Sequence, residues 1–222
     1  MDNKIYIICG HYGSGKSEFA VNFAKKLKQE NLDVVLADID IVNPYFRSRE
    51  IRLSLESLGI DVISDTLNSV KGLDMPYLSP AIRGQINRKD RTIVLDCGGD
   101  AVGCRVLRQF SEDIKKRDYA MYMIINVFRP ETSTIEDILF MKDKLESEST
   151  LKITGLINNS NFIKQTTIED LIYADTIIKE VSKRANLPVV YVSGLKSLIK
   201  KLPEDISGTP FELELHLRSN WL

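Results

Sequence analysis

The chain is poor in several features that would narrow its class quickly. Of its 222 residues three are cysteine, Cys9, Cys97 and Cys104, at spacings that define no disulfide framework. That scarcity fits a reducing, cytoplasmic setting. The two histidines, His11 and His216, share no metal-ligand spacing. Neither sign of charge is in excess. With 30 basic and 31 acidic residues the net charge is -1, which argues against a dedicated nucleic-acid or membrane-surface protein. No apolar run approaches the roughly 20 residues of a membrane span, and the first residues lead straight into a short apolar run without the pattern of a signal peptide. Internal repeats, low-complexity tracts and linkers are lacking too, so residues 1–222 read as one domain. What the chain does have is 43% hydrophobic residues, enough for a sizeable core.

Those hydrophobic residues fall into short runs separated by helical patterns. Lys4–Cys9, Val34–Ala37, Ile60–Ile63, Thr92–Leu95, Ala120–Phe128, Lys152–Ile157 and Pro188–Val192 read as strands. Between them, Phe19, Ala20, Phe23, Ala24 and Leu27 recur at helical spacing, and Ile51, Leu55 and Leu58 share a helix face that Gly59 closes. Further helices are expected over 81–88 and 101–117, from Arg129-Pro130 onward, from a cap at Thr166 or Thr167 to about Asn186, and over 195–202. Residues 64–79, with Gly72 and Pro76, read as an irregular excursion. The strands are continuous apolar runs, not alternating ones. This predicts an α/β domain of three layers, a mostly parallel sheet of about seven strands with helices on both faces. Phe211–Arg218 does alternate, with period two, and reads as an edge strand.

One stretch carries chemistry. Gly10-His11-Tyr12-Gly13-Ser14-Gly15-Lys16-Ser17 has the form G-x-x-x-x-G-K-S and lies between the first strand and the first helix, the context a phosphate-binding loop requires. There the backbone N–H groups and the helix dipole converge on an anion, Lys16 reaches the terminal phosphates, and the Ser17 hydroxyl takes a place on Mg²⁺. In such sheets the ligand sits at the carboxyl ends of the strands. Those ends deliver Asp38 and Asp40 after the second strand, Asp96 after Thr92–Leu95, and Asn158 after Lys152–Ile157. An aspartate at these places either holds Mg²⁺ or caps a helix, and Asn158 either reads a base edge or makes a turn.

With these residues in place the chain resembles the MinD/ParA/CobQ-type P-loop ATPases, relatives of the nitrogenase iron protein. The resemblance rests on the phosphate loop, Leu36-Ala37-Asp38-Ile39-Asp40 with Pro44 behind it, Val94-Leu95-Asp96-Cys97-Gly98-Gly99, the Asn126–Thr134 segment with its Pro130-Glu131, and Gly155-Leu156-Ile157-Asn158-Asn159. It covers about residues 4–205. It implies ATP hydrolysis with Mg²⁺ at a homodimer interface, Asp40 positioning the attacking water, Asp96 in the Mg²⁺ shell and Asn158 at the base. Two positions depart from that group. His11 stands where a second lysine typically reaches across the dimer, with Tyr12 replacing a glycine beside it. Glu18 stands where a second Thr or Ser is common.

Other readings stay open. Cys97 and Cys104 could ligate a metal or Fe–S cluster shared between two subunits, or be small buried hydrophobes. Arg105, Arg108, Lys115, Lys116 and Arg117 could meet DNA phosphates, or form a solvated helix face diluted by Glu112 and Asp113. Three functional classes follow: an ATPase switch or accessory factor with an unknown protein partner, a P-loop kinase or amidoligase whose acceptor pocket involves residues 64–90, and a non-hydrolysing nucleotide-gated scaffold.

Overall fold

Along the first strand Ile5, Ile7 and Cys9 face one core and Tyr6 and Ile8 another. The same alternation runs through the neighbouring strands, so the sheet is buried on both faces. The structure, a computed structural model, describes residues 4–40, 52–64 and 80–217. Pro44, Ile51, the excursion at 65–79 and the end of the alternating Phe211–Arg218 run lie outside the described residues.

The strands are β1 (Ile5–Gly10), β2 (Val34–Asp38), β3 (Asp61–Ser64), β4 (Thr92–Asp96), β5 (Tyr119–Ile125), β6 (Gly155–Asn158), β7 (Val189–Leu195) and β8 (Thr209–Leu213). Among the described residues they form one sheet in the order β3-β2-β4-β1-β5-β6-β7-β8, with every neighbouring pair parallel. One strand more is present than the count of apolar runs predicts, because β8 continues the sheet. It is the expected period-two edge strand, with Phe211 and Leu213 inward and Glu212 outward. β1 lies between β4 and β5, both later in the chain, so its carboxyl end opens at a switch in strand order where ligands bind.

The helices are α1 (Lys16–Gln29), α2 (Arg52–Ser57), α3 (Pro80–Ile86), α4 (Ala101–Arg105), α5 (Ser111–Lys115), α6 (Ile135–Ser149), α7 (Ile168–Ala185) and α8 (Lys196–Ile199). Phe19, Phe23 and Leu27 of α1 and Leu55 of α2 cover one face, and α3 to α7 cover the other with Ile82, Leu107, Ile138 and Ile178. Thr167 caps α7 through a reciprocal bond pair with Asp170, and Asn186 ends it in the left-handed conformation (φ 53°), as expected.

Three elements differ from the sequence expectation. The helix over 101–117 is broken into α4, a 3-10 turn at Val106–Phe110 and α5. The Ser111 hydroxyl donates to the Arg108 carbonyl at 3.1 Å, and the basic face is consumed internally. Arg105 and Arg108 meet Glu148, Lys115 meets Glu112, Lys116 meets Asp113, and Arg117 donates to the Ile86 and Arg91 carbonyls. β5 stops at Ile125 because the Asn126 amide oxygen accepts from Phe128 N–H at 3.0 Å and turns the chain. The next helix starts at Ile135, not at Pro130, because Thr134 caps it by accepting from Asp137 N–H.

Phe23 is 2% exposed and lies against the rings of Tyr6, Phe19, Tyr122, Tyr191 and Phe211, which fasten α1 to both wings of the sheet. Phe23→Ala is expected to cost about 3–5 kcal/mol in denaturant unfolding, the range for emptying an aromatic site. A loss below about 1 kcal/mol would show that the cluster collapses freely into the gap.

Candidate nucleotide site

The phosphate loop is built where only glycine fits. Gly10 ends β1 at φ 138°, and a Cβ there would lie 2.4 Å from the Ile124 carbonyl oxygen. Gly15 is the N-cap of α1 in the left-handed conformation and offers no side chain to the first turn. The first turn therefore receives no bond from a capping side chain at Gly15, and N–H groups at such a helix start are donors for an anion.

The loop's carbonyls, by contrast, are taken one after another. Lys16 Nζ donates to His11 O at 3.0 Å, Arg129 Nε to Gly13 O at 3.1 Å, and Asn159 Nδ2 to Ser14 O at 2.7 Å. Phe19 N–H takes Gly15 O at 3.0 Å. Asn159 is itself held by the Ser193 hydroxyl at 2.8 Å and packs so close that a Cβ on Gly15 would stand 2.4 Å from its amide nitrogen. Ser14 is wholly buried, and Tyr12 is 65% exposed at the outer rim. The His11 side chain is only 19% exposed. Its Nδ1 faces the Tyr12 carbonyl at 3.0 Å and a Glu131 carboxylate oxygen at 3.6 Å.

On the other side, β2 and β4 place Asp38 and Asp96 in register, each about 1% exposed. Asp38 Oδ1 accepts from Asp40 N–H at 3.0 Å. Neither Asp96 oxygen meets hydrogen-bond geometry with a described group. Burial first, then the Asp38 charge, push the Asp96 carboxyl well above its usual range, while the nearby Ser17 hydroxyl and Lys16 ammonium pull it down. A buried carboxylate with orphaned oxygens, a second carboxylate and a hydroxyl fit a hard divalent cation. Among the described residues no three His, Cys, Asp or Glu side chains converge to enclose a metal. The donors at Ser17, Asp38 and Asp96 thus suit an ion completed by phosphate oxygens and water, as Mg²⁺ prefers. Asp40 borders the same cavity. Two glycines let these parts meet. A Cβ on Gly98 would lie 3.0 Å from the Asp40 carboxylate, and one on Gly99 would lie 2.7 Å from Tyr12 Cα.

The cavity has a volume of about 690 Å³ and runs from Lys16, Ser17, Asp40 and Arg129 to an apolar end formed by Ile163, Leu195, Leu198, Leu213, Leu215 and Leu217. The apolar end is fastened to α1. Asn22 exchanges side-chain bonds with both backbone groups of Glu214, Lys25 pairs with the Glu214 carboxylate, and Glu18 accepts from the His216 and Leu217 N–H groups. Glu18, expected beside the phosphates, also clamps this strap.

The site residues named from the sequence, Gly10 to Glu18, Asp38, Asp40 and Asp96, come together at this edge. Asn158 does not border the cavity. It is wholly buried, its Oδ1 accepts from Ser160 N–H and its carbonyl from Ser193, so it makes a turn and the next residue, Asn159, reaches the loop. Asn159, Arg129 and Ser193 were missed by reading strand ends alone. The signal available was the doubled asparagine, since successive residues leaving a strand point to opposite sides. Cys9, Cys97 and Cys104 are free thiols buried in the core, and burial pushes Cys9 and Cys97 up. No described helix is long and apolar enough to cross a membrane.

No protein-family model matches the chain, and neither does any curated protein. Solved structures do. The cell division protein FtsY of Thermotoga maritima superposes with a TM-score of 0.57 at 18% identity, over 89% of this chain and 64% of that one. FtsY of Elizabethkingia anophelis, the signal recognition particle receptor, in complex with GDP, gives 0.55 at 14% identity, over 87% and 57%. A nucleotide-binding protein of Archaeoglobus fulgidus in complex with ADP gives 0.53 at 15% identity, over 90% and 84%. The fold is that of a P-loop NTPase. The chain spans less than two thirds of either FtsY structure.

Two outcomes test this geometry. Asp96→Asn removes a charge whose burial outweighs the support that the Ser17 hydroxyl and the Lys16 ammonium give it. A carboxyl whose pKa rises on folding costs stability as pH climbs above the ordinary carboxylate range. The ligand-free variant should therefore resist denaturant better than wild type near neutral pH, with the gap narrowing in acid. A less stable variant near neutral pH would mean that the carboxylate is paired after all. In the strap, the His216 Nε2 lies 3.1 Å from the Lys25 ammonium and 3.5 Å from the Glu214 carboxylate. Burial, then Lys25, lower its pKa and Glu214 raises it, with a net lowering. Its neutral form therefore supports the strap above about pH 6.5, and that support is lost as pH falls below this value. Hydrogen exchange at the His216 and Leu217 amides, corrected for intrinsic rates, should quicken on acidification in wild type. His216→Asn should flatten the response, and an equal response in both proteins would clear this histidine.

Proposed function

We propose that the protein binds ATP with Mg²⁺ and hydrolyses it slowly, as a nucleotide switch or accessory factor of the MinD/ParA-like kind. The observation that carries the reading is the buried Asp96, whose two orphaned oxygens lie between Asp38 and the Ser17–Lys16 start of α1. Bound Mg²⁺ would neutralise charge on the β- and γ-phosphates. The chain's own contribution is position and polarity. The α1 N-terminus and Lys16 hold the phosphates, Ser17, Asp38 and Asp96 hold the ion, and Asp40 orients a water in line with the terminal phosphate.

Adenine is preferred on the chemistry of the base end. Guanine selection needs a carboxylate for the N1 and N2 hydrogens of the base. Counting Asn158 as the first position of an N-K-x-D motif, the fourth, where that carboxylate would stand, is Asn161, and its side chain is used locally, donating to Asn159 O at 2.7 Å and accepting from Ile163 N–H at 3.1 Å. Of the carboxylates bordering the cavity, Glu18 is committed to the strap, while Asp40 and Glu131 stand near the loop. The neighbours found with ADP and with GDP bracket this choice. A cytoplasmic setting and a homodimer formed with ATP complete the reading. His11 turns toward Glu131 of its own chain, so it is a weak candidate to reach a second nucleotide.

The experiment is equilibrium binding and turnover on wild type, Lys16→Ala and Asp40→Ala. ATP should outcompete GTP. Lys16→Ala should bind ATP at least about tenfold more weakly, roughly 1.4 kcal/mol. Asp40→Ala should keep binding and lose Mg²⁺-dependent hydrolysis. Unchanged affinity in a folded Lys16→Ala, or GTP winning the competition, would overturn the reading. Turnover that appears only with an added acceptor would make it a kinase.

A further inference from the structure

Among the described residues, Arg129 is the one cation bordering the cavity that the loop's own motif does not account for. It leaves the β5 end at a backbone conformation of φ -103° and ψ 135°, immediately before Pro130, so the residue is held extended by the ring that follows it. Asn126 fixes the same turn from behind, accepting from Phe128 N–H and from Asn161 N–H, while its carbonyl takes the Thr132 hydroxyl. The base of the side chain is thus pinned. Its Nε donates to Gly13 O at 3.1 Å, and the guanidinium packs against Gly13, with Nε, Cζ and Nη2 at 3.3, 3.5 and 3.8 Å from where a Cβ would stand.

That single bond uses one of five N–H donors. Among the described residues the other four have no hydrogen-bond partner, although the guanidinium borders the same cavity as Lys16 and Ser17. Glu131, two residues on, faces His11 at 3.6 Å and is not paired with Arg129. A half-buried arginine held by one end, with its remaining fork unmatched beside an anion-binding loop, is prepared for a second acceptor. Its planar fork matches phosphate oxygens.

We propose that Arg129 is a phosphate-contacting residue that engages the terminal phosphate of the bound nucleoside triphosphate while its Nε holds Gly13. It supplies from the same chain a second cation beside Lys16. Because the Nε bond fixes the guanidinium to the loop itself, the cation moves with the loop and loses little rotamer freedom on binding. The diphosphate, one phosphate shorter, leaves the fork unmatched again. Arg129 therefore distinguishes triphosphate from diphosphate, where the α1 N-terminus and Lys16 serve both.

The proposal rests on the nucleotide reading and deepens it. Its test is calorimetry with a non-hydrolysable ATP analogue and with ADP, both with Mg²⁺, on wild type, Arg129→Ala, Arg129→Gln and Arg129→Lys, with thermal unfolding as a fold control. The glutamine keeps an N–H donor for Gly13 O and removes the charge. The expected result is a loss of about tenfold for the analogue in Arg129→Ala and Arg129→Gln, with ADP affinity changed by less than about twofold, and partial recovery in Arg129→Lys. Equal losses for both nucleotides would show that Arg129 only props the loop. No loss for either would show that it faces solvent, and both results overturn the proposal. Wild type that binds neither nucleotide would overturn the underlying nucleotide reading instead.

Discussion

The arrangement depends on occupying the loop's carbonyls, one of them also by the loop's own Ser14 N–H on His11 O at 3.2 Å, so that the N–H groups at the start of α1 can turn to an anion. A loop that cradles an anion must turn its N–H groups inward, which turns its carbonyls outward into protein. Here those carbonyls are taken by Lys16 for His11, Arg129 for Gly13, Asn159 for Ser14 and Phe19 for Gly15. The donors come from α1, from the turn after β5 and from the turn after β6. The loop is therefore braced by the two strands on the β5 side of β1. The β4 side contributes contact of a different kind, with Gly99 against Tyr12 and Gly98 against Asp40. Neither side could approach so closely with a Cβ at Gly10, Gly15, Gly98 or Gly99.

The charge distribution follows from the same division. Donors and cations gather on the β5 side and carboxylates on the β2–β4 side, with Lys16 and Ser17 between them. Asp38 and Asp96 are buried next to each other, an arrangement that burial and mutual repulsion both oppose. A fold gains nothing from such a pair in the absence of a ligand. Its place beside an uncapped helix start suits the pair of opposite charges that the proposed function calls for, phosphate against the donors and a cation against the carboxylates.

Much of this was legible in the sequence because it is local. The glycine spacing, the apolar run before it and the helical pattern after it concern contiguous residues, and the strand-end aspartates follow from knowing where runs stop. What escaped was set by pairs far apart in the chain. Arg129 meets Gly13 across 116 positions and Asn159 meets Ser14 across 145, and no periodicity encodes either contact. Asn158 was chosen over Asn159 because a strand end was read to one residue, where side chains switch faces at every step. The helix over 101–117 failed for a related reason. Its amphipathic pattern is sound, but Ser111 takes a carbonyl of the preceding turn and breaks the run without altering hydrophobicity. The 3-10 turn at Pro130 and the true cap at Thr134 show the same limit at a helix start.

The apolar end of the cavity shows how the edge strand joins the site. β8 adds Phe211 to the aromatic cluster around Phe23, and the residues after it add Leu215 and Leu217 to the cavity wall. Among the described residues they have no further strand to pair with. Their backbone groups are instead met by Glu18 and Asn22, with Lys25 on the Glu214 carboxylate, three side chains spaced four and three apart on one face of α1. Glu18 lies in the first turn, directly after Lys16 and Ser17. The helix whose N-terminus forms the phosphate loop's exit thus positions the apolar wall with its flank. Both ends of the cavity are referenced to one rigid element, so a shift of α1 on phosphate binding would carry the wall with it.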